Sequence, residues 1–312
     1  MLPFAFVFPG QGSQSVGMLD AWGDNAAVRA TLDEASSALD IDIGRLSHEG
    51  PKEQLDLTVN TQTVMLVAGV ACYRAWRGEG GDEPAAVAGH SLGEYSALVA
   101  AGVIELADAL PLVRFRAQAM QDAVPLGAGV MVAVIGLEGA VVVECCAQAA
   151  ADSGEVVQAA NFNDPRQTVI AGGSAGVDLA CEALKAAGAK RLVPLAVSAP
   201  FHSVLMKPAA DRLKQRLATT EMTTPRIAVV NNIDVGVETD PDRIRDALYR
   251  QAFGPVRWVE VVQALLGRGL THIVECGPGG VLKRMVARID PEAVGTELLD
   301  PETLARTKEM LQ

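Results

Sequence analysis

Residues 84–102 read PAAVAGHSLGEYSALVAAG, and this stretch decides the fold. The segment before Gly89 is short and apolar, which is typical of a buried parallel strand. The segment after Gly93 has the residue types of a helix, and Gly102 ends it. A strand, a Gly-x-Ser-x-Gly turn and a helix in this order predict a nucleophile elbow, in which the Ser91 hydroxyl is exposed at a tight turn.

The same turn predicts where negative charge can be stabilised. We expect the backbone N–H of Leu92 to point into the space that the Ser91 hydroxyl faces, and the helix N-terminus adds positive potential there. This arrangement suits attack by a serine on a carbonyl group. The alternative is an ordinary strand-to-helix turn bounded by glycines, because Gly-x-Ser-x-Gly alone is a short pattern.

The composition argues against several classes of protein. A chain of 312 residues is typical of about two domains. Hydrophobic residues make up 49% of it and charged residues 21%, which indicates a globular and not a disordered protein. The formal net charge of -12 argues against nucleic acid and against an anionic membrane surface as partners. The N-terminal LPFAFVF is too short for a membrane span and lacks the basic leader of a signal peptide, so we expect a strand there.

The five cysteines have neither a CxxC pattern nor the spacing of metal ligands. They lie within apolar runs, at Cys72, Cys145, Cys146, Cys181 and Cys276. This pattern predicts reduced core thiols in a cytoplasmic protein. No metal site is predicted.

A separate folding unit is predicted between residues 127 and 197. Strand and helix patterns alternate there as βαββαβ, which is the split ferredoxin-like arrangement. We therefore expect an α/β fold with a hydrolase-like parallel-sheet core, formed by residues 1–126 and 198–312. The ferredoxin-like subdomain, residues 127–197, is expected to be inserted into this core.

Three local features complete the predicted fold. Pro111 lies inside a helical pattern over residues 106–123, so that helix either starts near the proline or kinks there. Ser174 is expected to be the N-cap of the second helix of the inserted unit. The last fifteen or so residues are predicted to form a peripheral tail.

The first strand leads into a second candidate functional loop, residues 9–14 (PGQGSQ). Ligands bind at the carboxyl ends of the strands in open α/β sheets, so this loop is expected to face Ser91. Its glycines would let backbone N–H groups approach a substrate closely. A plain glycine-rich turn is the alternative.

A serine nucleophile needs a base, and the chain has four histidines. His48 lies in a polar stretch, His90 stands beside the nucleophile, and His272 begins a buried strand. His202 follows a strand in a loop, 111 residues after Ser91, which suits a pair assembled by the fold. We therefore predict His202 as the base, with a surface loop histidine as the alternative.

No acid completes a serine, histidine and aspartate triad. In the order typical of α/β-hydrolases the acid lies between serine and histidine, and only Asp164, inside the inserted unit, stands there at a strand-end loop. The sequence therefore predicts a dyad, with the imidazole held by a backbone carbonyl.

Two arginines in the 106–123 pattern are candidate substrate ligands. Arg114 and Arg116 differ by about 200° of helix rotation, so at most one of them can face a site. The residues alone leave the choice open.

Seven motifs stand in the order found in one enzyme family: FPGQGSQ at 8–14, GHSLGE at 89–94, RFRAQAMQ at 114–121, APFH at 199–202, NN at 231–232, QAFGPVRW at 251–258 and ECGPGG at 275–280. Together they resemble the malonyl-CoA:acyl carrier protein transacylase family of dissociated fatty acid synthesis, which is related to the acyltransferase domains of polyketide synthases. The resemblance runs from Phe4 to about Arg288.

The resemblance implies a role for individual residues. Ser91 would be the nucleophile and His202 the general base, while the backbone N–H groups of Gln11 and Leu92 would form the oxyanion hole. Arg116, rather than Arg114, would bind the free malonyl carboxylate.

Further substrate-binding positions follow from the same resemblance. The Gln251 backbone carbonyl would orient the imidazole, and Gln11 and His90 would also contact substrate. Phe201 would crowd a branch on the acyl chain, and Asn161 resembles a position that lines the family's cleft.

The resemblance also implies the reaction and its partners. A malonyl group would pass from malonyl-CoA to Ser91, and then to the phosphopantetheine thiol of holo acyl carrier protein, without metal or redox cofactor. We expect a cytoplasmic monomer. The alternatives are a serine esterase or thioesterase, in which water is the acceptor, a malonyltransferase of a polyketide pathway, and a non-catalytic module that docks carrier proteins.

Overall fold

The computed structural model describes residues 2–125, 127–197 and 199–312. The strands in these residues are β1 (Phe4–Phe8), β2 (Ala86–Gly89), β3 (Gly129–Ile135), β4 (Val157–Asp164), β5 (Gln167–Gly173), β6 (Arg191–Pro194), β7 (Ala228–Val230), β8 (His272–Cys276) and β9 (Val294–Leu298). The α-helices are α1 (Ala26–Leu39), α2 (Ile43–Glu49), α3 (Lys52–Leu55), α4 (Thr58–Gly78), α5 (Gly93–Ala100), α6 (Leu106–Asp122), α7 (Gly139–Ser153), α8 (Ser174–Ala186), α9 (Lys207–Ala218), α10 (Pro241–Phe253), α11 (Trp258–Gly267), α12 (Val281–Ile289) and α13 (Pro301–Leu311).

Five parallel strands form the sheet that carries the Ser91 turn. Their order is β7-β2-β1-β8-β9, and every neighbouring pair is parallel. All residues of β1 and β2 are buried, as expected for strands with helices on both faces. The register pairs Phe8 with Gly89 and Ala88 with Val230. The loops that follow β1, β2 and β7 therefore leave the sheet at the same edge.

A second sheet is antiparallel, with the order β4-β5-β3-β6. Together with α7 and α8 it makes the predicted βαββαβ unit with ferredoxin-like strand order. The apolar faces of these two helices and the sheet share one core, which includes Val134, Val142, Ile170 and Leu184. The predicted fold class, a parallel-sheet α/β core with a ferredoxin-like subdomain, is confirmed.

The chain divides into two compact units. The first comprises Met1–Phe115, Thr220–Ile244 and Val261–Gln312, and it holds the parallel sheet. The second comprises Arg116–Thr219 and Arg245–Glu260, and it holds the antiparallel sheet. The predicted domain boundaries at residues 1, 126 and 198 lie outside the described residues, and that division of the chain stays a prediction.

The predicted C-terminal tail is wrong. Residues 294–298 form β9, which pairs with β8 at the edge of the parallel sheet. α13 follows, and its Leu304 and Leu311 are buried. The main-chain carbonyl of Leu311 accepts a hydrogen bond from the amide of Leu2, at a distance of 2.8 Å. The end of the chain is therefore part of the core.

One further local prediction is wrong, and one of the two alternatives for Pro111 is excluded. Gly173, not Ser174, is the N-cap residue of α8, and the Ser174 hydroxyl instead donates to the carbonyl of Gly127. α6 begins at Leu106 and runs through Pro111, so the helix does not start at the proline.

Cys72, Cys146 and Cys276 are buried thiols, while the other two cysteines are half-buried. No helix in the described part of the chain is long and apolar enough to cross a membrane.

Candidate active site

The Ser91 turn is as tight as the sequence predicts. Ser91 has a backbone φ of +52°, in the left-handed region that residues other than glycine rarely adopt. A Cβ atom on Gly89 would lie 1.8 Å from the carbonyl carbon of Gly93, and one on Gly93 would lie 2.0 Å from the carbonyl oxygen of Phe8. Both positions therefore require glycine, and this requirement explains the Gly-x-Ser-x-Gly pattern.

The amides of the turn differ in what they bind. The N–H groups of Gly93 and Glu94 donate back to the carbonyls of His90 and Ser91, at 2.9 and 3.1 Å. The N–H of Ser91 donates to the side chain of Asn232, at 2.7 Å. Within the described residues, the N–H of Leu92 has no protein acceptor, as is normal for an amide in the first turn of a helix. This N–H can therefore donate to a developing oxyanion.

The loop after β1 packs directly against the same turn. A Cβ atom on Gly10 would lie 2.6 Å from the carbonyl oxygen of His90, so only glycine fits this close approach. The His90 amide donates to the carbonyl of Phe8, at 3.0 Å. Gln11 follows Gly10 directly, and its side-chain amide lies 3.5 Å from the hydroxyl of Thr58. The structure thus brings together Gln11, His90, Ser91 and Leu92.

The buried carboxylate of Glu275 fixes the turn that packs against the loop after β1. The Glu275 carboxylate accepts hydrogen bonds from the amides of Val281 and Lys283 in the first turn of α12, at 3.1 and 2.9 Å. Burial raises the pKa of the Glu275 carboxyl to about 7, although the helix amides favour the ionised form. In the turn between Glu275 and α12, Gly279 lies so close to Ser13 that a Cβ atom would be 2.7 Å from the Ser13 Cβ.

In the second unit, His202 is held in one orientation. Its side chain is buried and its φ is +60°, a left-handed conformation for a residue with a Cβ atom. Nδ1 lies 2.9 Å from the main-chain carbonyl oxygen of Gln251. A carbonyl can only accept, so Nδ1 carries a proton, and in the neutral imidazole the lone pair is then on Nε2. A neutral imidazole with a basic Nε2 is the state that a general base needs.

Gln251 also binds the buried arginine. Arg116, 1% exposed, lies on α6 and donates from Nη2 to the Gln251 side-chain oxygen, at 3.3 Å. Arg114 is only half-buried, and its guanidinium lies 3.4 Å from the side-chain oxygen of Asn60. The two arginines thus face different surroundings, as their helical spacing predicts.

Phe201 and Asn161 lie in the same unit as His202. Phe201 is buried next to it in the chain. Asn161 is buried in β4, where the strand has a bulge, and its backbone forms a bridge with Val256. The structure therefore gathers Arg116, Asn161, Phe201, His202 and Gln251 in one unit. It gives the surroundings of these residues, and their roles stay predictions.

Asn232, Glu94 and Glu275 have no predicted role from the sequence. All three are buried polar side chains that bind backbone groups next to functional loops. The signal available in the sequence was a polar residue placed directly after a buried strand or at the start of a buried helix. That pattern also describes ordinary turns, so it could not single them out.

Comparison with known proteins identifies the family. The sequence model of the acyl transferase domain family matches residues 5–293. The malonyl CoA-acyl carrier protein transacylase of Escherichia coli (strain K12) is 50% identical over 311 residues, which cover 99% of this chain and 100% of that protein. The chain belongs to the malonyl CoA-acyl carrier protein transacylase family. The resemblance seen in the seven motifs is thereby confirmed, and the chain is an acyltransferase.

Solved structures of the family agree in fold. The crystal structure of an acyl-carrier-protein S-malonyltransferase from Burkholderia pseudomallei 1710b is 59% identical, with a TM-score of 0.97 over 99% of this chain and 100% of that one. A further structure shows a type II PKS acyl-carrier protein in complex with its malonyl-transacylase. That transacylase is 45% identical, with a TM-score of 0.96 over 99% of both chains.

Proposed function

We propose that this chain transfers the malonyl group from malonyl-CoA to the phosphopantetheine thiol of holo acyl carrier protein, in fatty acid biosynthesis. Family membership over the whole length supports the substrates. The observation that carries the residue assignment is the pair of left-handed residues, Ser91 at a glycine-bounded turn and His202 with its Nδ1 bound to a carbonyl. Backbone strain of this kind concentrates at functional sites.

In the first half-reaction, Ser91 is acylated. His202 Nε2 takes the proton of the Ser91 hydroxyl as Oγ attacks the thioester carbonyl of malonyl-CoA. The backbone N–H groups of Gln11 and Leu92 donate to the resulting oxyanion. The carbon–sulfur bond then breaks, and the imidazolium returns its proton to the coenzyme A thiolate.

In the second half-reaction, the acyl group leaves. His202 takes the proton of the phosphopantetheine thiol, and the sulfur attacks the ester carbonyl. The ester bond breaks, and the proton returns to Ser91 Oγ. Arg116 binds the malonyl carboxylate throughout, and the Gln251 carbonyl keeps the imidazole in the required tautomer. These steps need no cofactor, since coenzyme A enters only as part of the substrate.

We also propose that the protein works as a monomer in the cytoplasm. Five cysteines without a disulfide are consistent with a reducing compartment. Size-exclusion chromatography with light scattering at micromolar concentration tests the oligomeric state, and a mass of two chains would contradict this part of the proposal.

Intact mass spectrometry tests the mechanism. Malonyl-CoA should add one malonyl group to the protein, and holo acyl carrier protein should then remove it. Ser91→Ala should give no acyl-enzyme, and His202→Ala should slow acylation by several orders of magnitude, as removal of the base does in serine enzymes. His48→Ala, at an exposed histidine paired with Asp20, is the matched control and should acylate normally.

Two outcomes would contradict the proposal. An acyl-enzyme that still forms in Ser91→Ala would show that another residue is the nucleophile. Loss of the malonyl group to water at the same rate with and without carrier protein would instead favour a thioesterase.

A further inference from the structure

Asn232 lies at the centre of a hydrogen-bond network around the Ser91 turn. It follows the end of β7 by two residues, and β7 pairs in parallel with β2, the strand that leads to Ser91. This register brings the loop after β7 alongside the nucleophile turn. The Asn232 side chain is fully buried there, at 0% exposure.

Three hydrogen bonds connect Asn232 to the turn. Its side-chain oxygen accepts from the Ser91 amide at 2.7 Å, and its side-chain nitrogen donates to the Gly89 carbonyl at 2.7 Å. Its own amide donates to the carboxylate of Glu94 at 2.9 Å. The network therefore spans the end of β2, the nucleophile and the first turn of α5.

Only a carboxamide fits the two main-chain groups together. The Ser91 N–H needs an acceptor and the Gly89 carbonyl needs a donor, and asparagine offers one of each on a short, stiff side chain. Aspartate would place a second oxygen against the Gly89 carbonyl, and an apolar residue would leave both groups without a partner. The two bonded groups lie on either side of His90 and lead directly into Ser91, whose left-handed backbone must be held by its surroundings.

We propose that Asn232 is a positioning residue for acyl transfer, whose carboxamide holds the Gly89 to Ser91 main chain in the conformation that aims the serine hydroxyl and the adjacent Leu92 amide at the acyl carbonyl. The inference rests on the proposed role of Ser91 as nucleophile. Asn232 acts through the backbone of the turn and does not itself touch the substrate. Its loss should therefore slow acylation more than it weakens substrate binding.

The neighbouring Asn231 provides a matched control. It has the same side chain and is also buried, at 5% exposure. Its side chain, however, donates to the Gly236 carbonyl at 3.1 Å and accepts from the Asp234 amide at 2.8 Å. Asn231 therefore closes its own loop, whereas Asn232 closes the nucleophile turn.

The test compares Asn232→Ala and Asn232→Asp with Asn231→Ala in the full-length protein. Single-turnover acylation by malonyl-CoA is followed by rapid quench and intact mass spectrometry, and its concentration dependence gives the limiting rate and the apparent Kd. We expect both Asn232 variants to lose roughly 10- to 100-fold in limiting rate, with Kd changed by less than about threefold, because small displacements of reacting groups cost this much. Asn231→Ala should stay within about threefold in both values.

Several outcomes would overturn the inference. A limiting rate per folded Asn232 variant close to that of the wild type would do so, as would an equal loss in Asn231→Ala. If both Asn232 variants fail to fold while Asn231→Ala folds, the carboxamide serves folding alone. Acylation of Ser91→Ala would refute the proposed function instead, so the two failures are distinguishable.

Discussion

At the scale of single residues, Gln251 binds both the imidazole of His202 and the guanidinium of Arg116. Its main-chain oxygen accepts from His202, and its side-chain oxygen accepts from Arg116. The base and the cation proposed to bind the acyl carboxylate are therefore placed relative to the same residue. Both side chains therefore bind one residue of α10, although Arg116 belongs to α6 and His202 to a loop.

Removing the buried cation should change acyl-group selection. A charge-assisted contact between arginine and a carboxylate contributes about 1.5–3 kcal/mol net, or roughly 10- to 150-fold in rate. We expect Arg116→Ala to lose this factor in kcat/KM for malonyl-CoA. Acetyl-CoA has no carboxylate, so its kcat/KM should be unchanged or higher. Steady-state rates with both substrates measure the effect.

Arg114→Ala is the matched control for charge. Arg114 lies on the same helix and is half-buried beside Asn60, so its removal should leave the ratio of malonyl to acetyl transfer unchanged. Equal losses for both acyl groups in Arg116→Ala would mean that the arginine supports the fold and does not select the substrate.

The sequence indicates candidate residues where the residue type itself has a characteristic chemistry, as serine and histidine do. Ser91 was singled out by its place between a buried strand and a helix, and His202 by its place in a loop that follows a strand. Asn232 was missed because two adjacent asparagines after a strand look identical in sequence. Their difference arises only when β7 pairs with β2 and places one side chain, not the other, against the turn.

At the scale of elements, Glu275 fixes the start of α12. Its two oxygens bind the amides of Val281 and Lys283 in the first helical turn, which would otherwise have no partner. The carboxylate thus connects the last residues of β8 with the helix across the glycine-rich turn. At Gly279 this glycine-rich turn packs against Ser13, in the loop that contains Gln11.

Glu275 should make the stability of the protein depend on pH. Its folded pKa of about 7 exceeds the ordinary value of 4.5. The folded protein therefore binds the proton more tightly, so the carboxyl contributes most below pH 4.5 and this contribution is lost as the pH rises through 7. The difference in free energy of unfolding between wild type and Glu275→Gln should fall by about 2–3 kcal/mol between about pH 5 and about pH 8.

Chemical denaturation followed by circular dichroism measures this difference. The variant removes the titrating group and keeps the shape of the side chain, so other groups cancel in the comparison. Parallel stability curves across the pH range would show that the buried carboxyl does not titrate between the folded and unfolded states.

Element boundaries were predictable where periodicity is strong. The helical pattern over 106–123 and the strand that His272 begins appear, within one residue, as α6 and β8. The C-terminal β9 and α13 were missed because that segment is polar and carries few apolar residues per turn. β9 is stabilised by pairing with β8, and pairing with a distant strand leaves no local pattern.

At the scale of the whole molecule, the net charge of -12 disfavours association with the proposed partner, an acyl carrier protein. The family resemblance implies that the carrier protein is acidic, so long-range repulsion would have to be offset by a local basic surface. α9 provides one, with exposed Lys207, Arg212, Lys214 and Arg216. Lys207 and Arg212 are paired with Asp211 and Asp122, at 2.6 and 3.3 Å, but both remain exposed. Lys283 is paired with Glu297 at 2.6 Å and is half-buried, which makes it a poorer docking residue.

Reversing charge on α9 should weaken transfer to the carrier selectively. We expect Lys207→Glu with Lys214→Glu to raise KM for holo acyl carrier protein roughly tenfold at low ionic strength, because charges at the rim of an interface steer association. The effect should shrink when salt is raised from about 20 mM to about 200 mM. Transfer to free pantetheine should be unchanged.

Lys185→Glu, at an exposed position on α8, changes net charge in the same direction at another place. It should leave KM for the carrier nearly unchanged. If the carrier and free pantetheine lose activity alike in the α9 variant, α9 does not dock the carrier. The same conclusion would follow if the salt concentration had no effect on transfer to the carrier.

The hydrogen bond between Ser91 and Asn232 joins residues 141 positions apart in the chain. A ribosome adds about 5–20 residues per second, so roughly 7–28 s pass between the synthesis of the serine and that of the asparagine. During this interval the nascent chain contains the complete Gly-x-Ser-x-Gly sequence without the amide that closes its turn. The Ser91 turn therefore acquires this hydrogen bond late in synthesis, and a chain stalled before residue 228 carries the motif without β7 and without the Asn232 side chain.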